Sequence, residues 1–270
     1  MTKHYRSIFI SDIHLGTKDC KADLLCDFLK HNTANTIYLV GDIIDGWKIK
    51  RNKWKWKKSH TNVIHHLLKH SKKDTRIVYV AGNHDEFLRP MLPYNLSFGK
   101  IDFVNKIDHI GVDGRRYLVI HGDIFDGISK LAPWMGYLGD KAYDILLYLN
   151  TKYNWIRHRF GFGYWSFSKF LKHKVKGAVD FIFQFEQNLA EYCKRKYYDG
   201  VICGHIHHAE IKRIDEIIYM NDGDWVESCT ALVENFNGSF EIIAWERIKD
   251  VEINYTDNDS ELFDNNEDFE

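Results

Sequence analysis

Residues 5–14 read YRSIFISDIH and residues 36–45 read TIYLVGDIID, and the likeness of these two stretches decides the fold. Each is a short run rich in β-branched and aromatic side chains that stops at a small residue followed by an aspartate. Such a run, apolar at successive positions and closed by a turn signal, predicts a strand buried on both faces. Between them, residues 20–30 carry Leu24, Leu25, Phe28 and Leu29 at helical spacing. Residues 62–69 form a second helical pattern, and residues 76–81 repeat the strand signature before Gly82-Asn83. The order β-α-β-α-β predicts a parallel sheet with right-handed crossovers. Open α/β sheets place ligands in the loops at the carboxyl ends of their strands. The aspartates fall there.

Further along, residues 106–112 and 116–120 flank Asp113-Gly114, a hairpin signal. Residues 200–203 form another short strand. The alternating segments 209–213, 217–221, 231–234 and 239–245 suggest an antiparallel second sheet, hence an α/β sandwich of two sheets with outer helices. Residues 128–151 and 167–196 have helical spacing instead. The expected division is a core of residues 1–123 and 200–250, a helical cap inserted at 124–199, and a tail at 251–270. That tail carries eight acidic side chains and no Lys or Arg, so the formal net charge of -1 conceals a basic body. From residue 256 onward the tail reads as solvated and disordered. Five scattered cysteines without a CxxC pair read as reduced thiols. The N-terminus lacks the apolar core of a signal peptide, and no run is long enough to span a bilayer. These features predict a cytoplasmic protein, with peripheral membrane contact left open.

Five clusters of metal-seeking side chains sit at successive strand ends: Asp12-Ile13-His14, Gly41-Asp42 to Asp45, Gly82-Asn83-His84-Asp85, His121-Gly122-Asp123 and Gly204-His205-Ile206-His207. Any one of them is most simply a turn residue or a half-buried imidazole. Together they supply carboxylates, imidazoles and an amide oxygen, the set divalent transition metals accept. The donors exceed the needs of one ion, which points to a two-metal site and hydrolytic chemistry.

DxH, GDxxD, GNHD, HGD and GHxH, in this order, resemble the calcineurin-like metallophosphoesterases over about residues 8–225. The resemblance implies a four-layer α-β-β-α sandwich. It implies that Asp12, His14 and His207 hold one ion, that Asn83, His121 and His205 hold the other, and that Asp42 bridges them. Two such ions, about 3.5–4 Å apart, can share a hydroxide for in-line attack on phosphorus. Manganese is the expected metal for a mixed carboxylate–imidazole site, with zinc, iron and magnesium as alternatives. By the same resemblance His84 is not a ligand; it is a candidate to stabilise the phosphoryl oxygens or protonate the leaving group, with Asp45 orienting it. Asp85 and Asp123 read equally as acceptors for ligating imidazoles or as turn residues.

The motif spacing and the cap are similar to the UDP-2,3-diacylglucosamine pyrophosphatases of lipid A synthesis, which implies release of UMP and an acylated sugar 1-phosphate. That likeness includes Trp47 after the second motif. His84 departs from it, because members of that family commonly carry Arg there. Within the cap, Lys169, Lys172, Lys176, Arg157 and Trp165 are candidate substrate contacts, since aromatic bodies and cationic heads suit an acylated phosphate or the anionic membrane presenting it. Residues 47–58, WKIKRNKWKWKK, hold seven Lys or Arg among three Trp. They suit a membrane surface, or a single strand of nucleic acid if the protein is a nuclease or nucleotide phosphodiesterase. An exposed, solvated loop is the plainer reading. The oligomeric state is not encoded in any feature of the chain.

Overall fold

The computed structural model describes residues 2–51, 53–94, 97–125 and 168–245. The chain opens with β1 (Lys3–Ile10), α1 (Ala22–His31), β2 (Asn32–Val40), a short α2 (Gly46–Lys50), α3 (Lys58–Lys72) and β3 (Arg76–Val80). A 3-10 helix at Glu86–Tyr94, broken in character by Pro90 and Pro93, leads to β4 (Ser97–Phe98) and β5 (Ile101–Val104). The hairpin β6 (Lys106–Ile110) and β7 (Arg116–Ile120) follows. After α4 (Ser168–Arg195) come β8 (Gly200–Cys203), β9 (Glu210–Ile214), β10 (Ile217–Asn221), β11 (Thr230–Glu234) and β12 (Phe240–Ala244).

The first sheet has the order β12-β11-β1-β2-β3-β5-β4, and the second β6-β7-β8-β10-β9. β1, β2 and β3 run parallel, as the opening stretches predict, and β5 continues the parallel run beside β3. Strand alternation sorts side chains into three cores. Ile8, Ile10, Ile37, Leu39, Ile77 and Tyr79 pack outward against Leu25, Phe28 and Leu29 of α1 and Val63 and Leu67 of α3. Their neighbours Phe9, Tyr38, Val40, Val78 and Val80 turn inward to meet Tyr117, Val119, Ile202 and Met220. Leu118, Ile120, Val201 and Cys203 face Phe185, Leu189 and Cys193 of α4. The result is four layers, α-β-β-α, with both faces of the central strands removed from water. That double burial explains why the strands read as unbroken apolar runs.

Two expectations are corrected. The second sheet is mixed, because β7–β8 and β8–β10 are parallel. Residues 230–234 and 240–244 also leave it and extend the first sheet, β11 lying antiparallel to β1. The reason is visible in β11, buried at all five positions: Ala231 and Val233 enter the outer core and Leu232 the inner one. A strand covered on both faces fits beside β1, not at an exposed margin. β5, which the sequence reading passed over, uses the same device, with Phe103 packed outward and Val104 inward. All five cysteines are free and buried. Among the described residues no helix is long and apolar enough to cross a membrane.

Candidate metal centre

The carboxyl ends of β1, β2, β3, β7 and β8 meet at one edge of the sandwich. The first two loops run side by side: Asp12 N donates to Gly41 O, His14 N to Asp42 O and Leu15 N to Ile43 O. Asp12, His14, Asp42, His205 and His207 all have φ between +50° and +73°. Non-glycine residues seldom adopt this left-handed backbone, and clusters of it mark functional sites. Each such turn swings the side chain out of its strand and toward the common centre. Gly82 has a different reason to be glycine, because a Cβ there would collide with the Asp42 carboxylate.

Three trios of potential donors form among the described residues; one, His14, Asp45 and His84, overlaps the first of the two that the sequence motifs point to. Asp12, His14 and His207 have ligand atoms within 4.8 Å of one another, and so do Asp42, His121 and His205. His207 Nε2 lies 3.1 Å from Asp12 Oδ1, and His14 Nε2 lies 3.8 Å from the same oxygen. His121 Nε2 is 3.3 Å from Asp42 Oδ2 and 3.2 Å from Asn83 Oδ1. Asp42 Oδ2 is also 3.9 Å from His14 Nε2, which puts it within reach of both trios. The remaining atoms are held by the protein. His121 Nδ1 bonds the Val40 carbonyl at 2.8 Å, leaving Nε2 to face the centre. Asp42 Oδ1 accepts the His84 N–H, and Asp12 Oδ2 accepts the His205 N–H, both at 2.8 Å.

The electrostatics are those of a site short of cations. Burial pushes the Asp12 carboxyl up, but the imidazoles beside it, His207 first and then His14, outweigh it and hold it well below the usual range. Asp42 is likewise held low against burial, chiefly by His121. Burial opposes the charging of His14 and His121, yet the carboxylates around them raise both to about 10. Asp12 Oδ1 is nonetheless buried without a hydrogen-bond partner. A buried, unsatisfied carboxylate oxygen among imidazoles fits a divalent cation.

His84 is clamped beside the trios. Its ring lies edge-on to His14 (4.6 Å between centroids) and tilts at 32° against Trp47, 4.0 Å between centroids. Its carbonyl accepts the Gly46 N–H. Asp45 Oδ1 is 3.3 Å from His84 Nδ1 but out of line for a hydrogen bond, since that nitrogen has no partner. The same oxygen caps α2 by accepting the Lys48 N–H at 2.8 Å. Asp45 Oδ2 also lies 3.8 Å from His14 Nδ1, so Asp45 borders two imidazoles while capping a helix.

Asp85 turns out to organise a loop: it accepts the N–H groups of Ile43 and Ile44 and the hydroxyl of Tyr79. Burial, and then Asp42, raise it to about 6. Asp123 accepts hydrogen bonds from Arg89 Nη2 on both carboxylate oxygens. Sequence reading missed that arginine. It also missed Asp222, fully buried behind Asp12, which accepts the Ser11 hydroxyl at 2.5 Å and is held well above the usual range, first by burial. Its signal was available, an aspartate directly after a strand, as at Asp12 and Asp42. Of the cap candidates, Arg157 and Trp165 lie outside the described residues; Lys169, Lys172 and Lys176 fall on α4, in a stretch where only the backbone is described.

A two-sheet sandwich with paired carboxylate–imidazole trios at one edge defines a metal-dependent phosphohydrolase. The calcineurin-like phosphoesterase family model matches residues 5–209, and the chain belongs to that family. A curated relative is the DNA polymerase II small subunit of Methanothermobacter thermautotrophicus, 28% identical over 151 residues. The match covers 45% of this chain but 31% of the relative, so the chain spans under a third of that protein's length. Among solved structures, the E. coli phosphoesterase YfcE is 14% identical with a TM-score of 0.40, over 89% of this chain and 99% of that one. An archaeal phosphodiesterase is 12% identical with a TM-score of 0.39, over 88% and 98%. Entamoeba histolytica Vps29, solved with zinc, is 12% identical with a TM-score of 0.37, over 89% and 99%.

Proposed function

We propose that this chain hydrolyses a phosphate anhydride or diester with two divalent ions, and that its substrate is a lipid-linked nucleotide sugar of the UDP-2,3-diacylglucosamine type, cleaved to UMP and an acylated sugar 1-phosphate. The observation that carries the chemistry is Asp42, whose Oδ2 lies 3.3 Å from His121 Nε2 in one trio and 3.9 Å from His14 Nε2 in the other. Asp12, His14 and His207 would hold one ion; Asn83, His121 and His205 would hold the second, with Asp42 shared. Manganese suits this donor set. When bound, the ions supply Lewis acidity toward the phosphate and lower the proton affinity of water.

The protein's own groups do the rest. Asn83 contributes a neutral oxygen and so limits the negative charge facing an anionic substrate. His84 stands beside the centre with Trp47 against its ring and Asp45 near Nδ1. From there its Nε2 can hydrogen-bond a phosphoryl oxygen or pass a proton to the leaving oxygen. Support for an acylated substrate comes from the exposed aromatic and basic residues that border the centre.

A second reading, a nuclease or nucleotide phosphodiesterase, draws on the acid-free basic stretch after α2 and on similarity to a DNA polymerase subunit. One panel separates the two: UDP-2,3-diacylglucosamine, other nucleotide-diphosphate sugars, single-stranded DNA and bis(p-nitrophenyl) phosphate, each with added manganese. Turnover of the acylated nucleotide sugar far above the others is the expected result. Cleavage of DNA with no turnover of the lipid-linked substrate would replace it with the second reading.

A further inference from the structure

From Gly46 to Lys73 the chain runs 28 residues with ten Lys or Arg and no acidic side chain. The exposed Lys53, Lys55 and Lys58 form no ion pair or side-chain hydrogen bond among the described residues. Among these cations stand apolar side chains that should be covered: Ile49 is 44% exposed, Trp54 44% and Trp56 37%. This surface adjoins the metal centre. Trp54 lies across Gly16, two residues past His14, so closely that a methyl group there would overlap its ring. Lys55 N donates to Gly16 O at 2.8 Å, fixing the ledge to the first motif loop. Phe87, also exposed, touches Gly46 at the other end of α2.

The rings show what kind of polyanion fits. Single strands bind by laying bases on free aromatic faces. Here Trp54 and Trp56 pack on each other at 4.8 Å, with the Trp54 ring also covering Gly16. Trp56 commits its indole N–H to Thr61 Oγ1 and meets His60 edge to face. What remains exposed is an apolar pair whose rings are partly taken up by each other, by Gly16 and by His60, ringed by lysines. Surfaces of this composition settle at the boundary between headgroups and acyl chains of an anionic bilayer.

We propose that Ile49 and residues 53–58 seat the protein on an anionic membrane surface, with the metal centre beside the contact. This deepens the lipid-linked reading above, yet vesicle binding can succeed or fail whichever substrate is cleaved. The test is co-sedimentation of the full chain with phosphatidylglycerol or phosphatidylcholine vesicles, alongside bis(p-nitrophenyl) phosphate turnover. Binding to phosphatidylglycerol alone is expected, with release as salt shortens the screening length. Changing Lys53, Lys55 and Lys58 together to Gln should weaken that partition about 100-fold, and to Glu further, with turnover unchanged. Equal binding to both lipids, or unchanged partition of both triple variants, would overturn the proposal. So would tighter retention of a single-stranded oligonucleotide than of phosphatidylglycerol vesicles, which would assign the ledge to nucleic acid. Failed turnover with intact vesicle binding would instead sink the hydrolase reading and leave the docking surface standing.

Discussion

Two buried clusters of imidazole and carboxylate lie in this sandwich, and they obey opposite rules. In one, Glu234 accepts from Arg6 Nη1 at 2.5 Å, from His109 Nε2 at 2.8 Å and from Val112 N at 3.0 Å. His109 Nδ1 completes the chain at the Tyr38 hydroxyl, 3.1 Å away. None of these side-chain atoms is buried without a partner, and the residues sit on or beside regular strands. In the other, at the carboxyl edge, Asp12 Oδ1 and His84 Nδ1 are buried without partners and the backbone is left-handed at five donors. The first cluster is complete in itself and works as structure. The second is incomplete in itself, and that deficit distinguishes a binding site from a polar core.

The sharpest way to break this contrast is Asp42→Ala. It should cost more than about 100-fold in phosphodiester turnover, beyond what is typical of residues that only support ligands, while circular dichroism stays close to wild type. Retained turnover would end the assignment of Asp42 to the centre. The mirror experiment is Glu234→Ala. It strands Arg6 and His109, so stability should fall by about 3 kcal/mol with turnover per folded molecule unchanged. The acid limb gives a further check. Burial raises the Glu234 carboxyl, but His109 and Arg6 outweigh it and hold it below the usual range. Its contribution is therefore present above about pH 4.3 and lost as pH falls through its lower folded value. Denaturant midpoints of the variant and wild type should converge in acid.

Smaller in energy is a difference in protons. His14 and His121, raised to about 10, are charged at neutral pH in the metal-free protein and must become neutral to bind an ion. Calorimetry of manganese uptake at pH 7 in two buffers of different ionisation enthalpy should reveal release of about two protons. Affinity should rise with pH up to about 10. The metal-free protein should run the other way, because the stability these two groups contribute is full below about pH 6.5 and lost as pH rises through about 10. Smallest is Tyr38→Phe, which removes one buried hydrogen bond and should cost about 1 kcal/mol in denaturant unfolding, with turnover unaffected.

The parts legible in sequence were those that local chemistry determines. The parallel strands announced themselves because double burial leaves no room for polar residues, and the donor clusters did so because each follows a strand directly. The placement of β11 and β12 was hidden, since alternation alone does not say which sheet a strand joins. Arg89 and Trp47 illustrate a second limit. Arg89 meets Asp123 only through the fold, 34 positions away, and Trp47 meets His84 across two loops. Neither spacing has a local period. Asp45 was expected to orient His84; it lies 3.3 Å from His84 Nδ1 without hydrogen-bonding it, caps α2 and approaches His14.

The donors of each of the two trios that the motifs point to come from both sheets: Asp12, His14 and Asp42 follow strands of the first, and His121, His205 and His207 follow strands of the second. Ions held there would act as rivets across the seam between two halves of the molecule, joining positions as far apart in the chain as residues 12 and 207. Cross-links that close long loops restrict the unfolded chain most. Chelation should therefore do more than stop turnover. It should unfasten this edge of the sandwich, and brief proteolysis with and without chelator would locate the opening at the loops that follow β1, β2, β7 and β8.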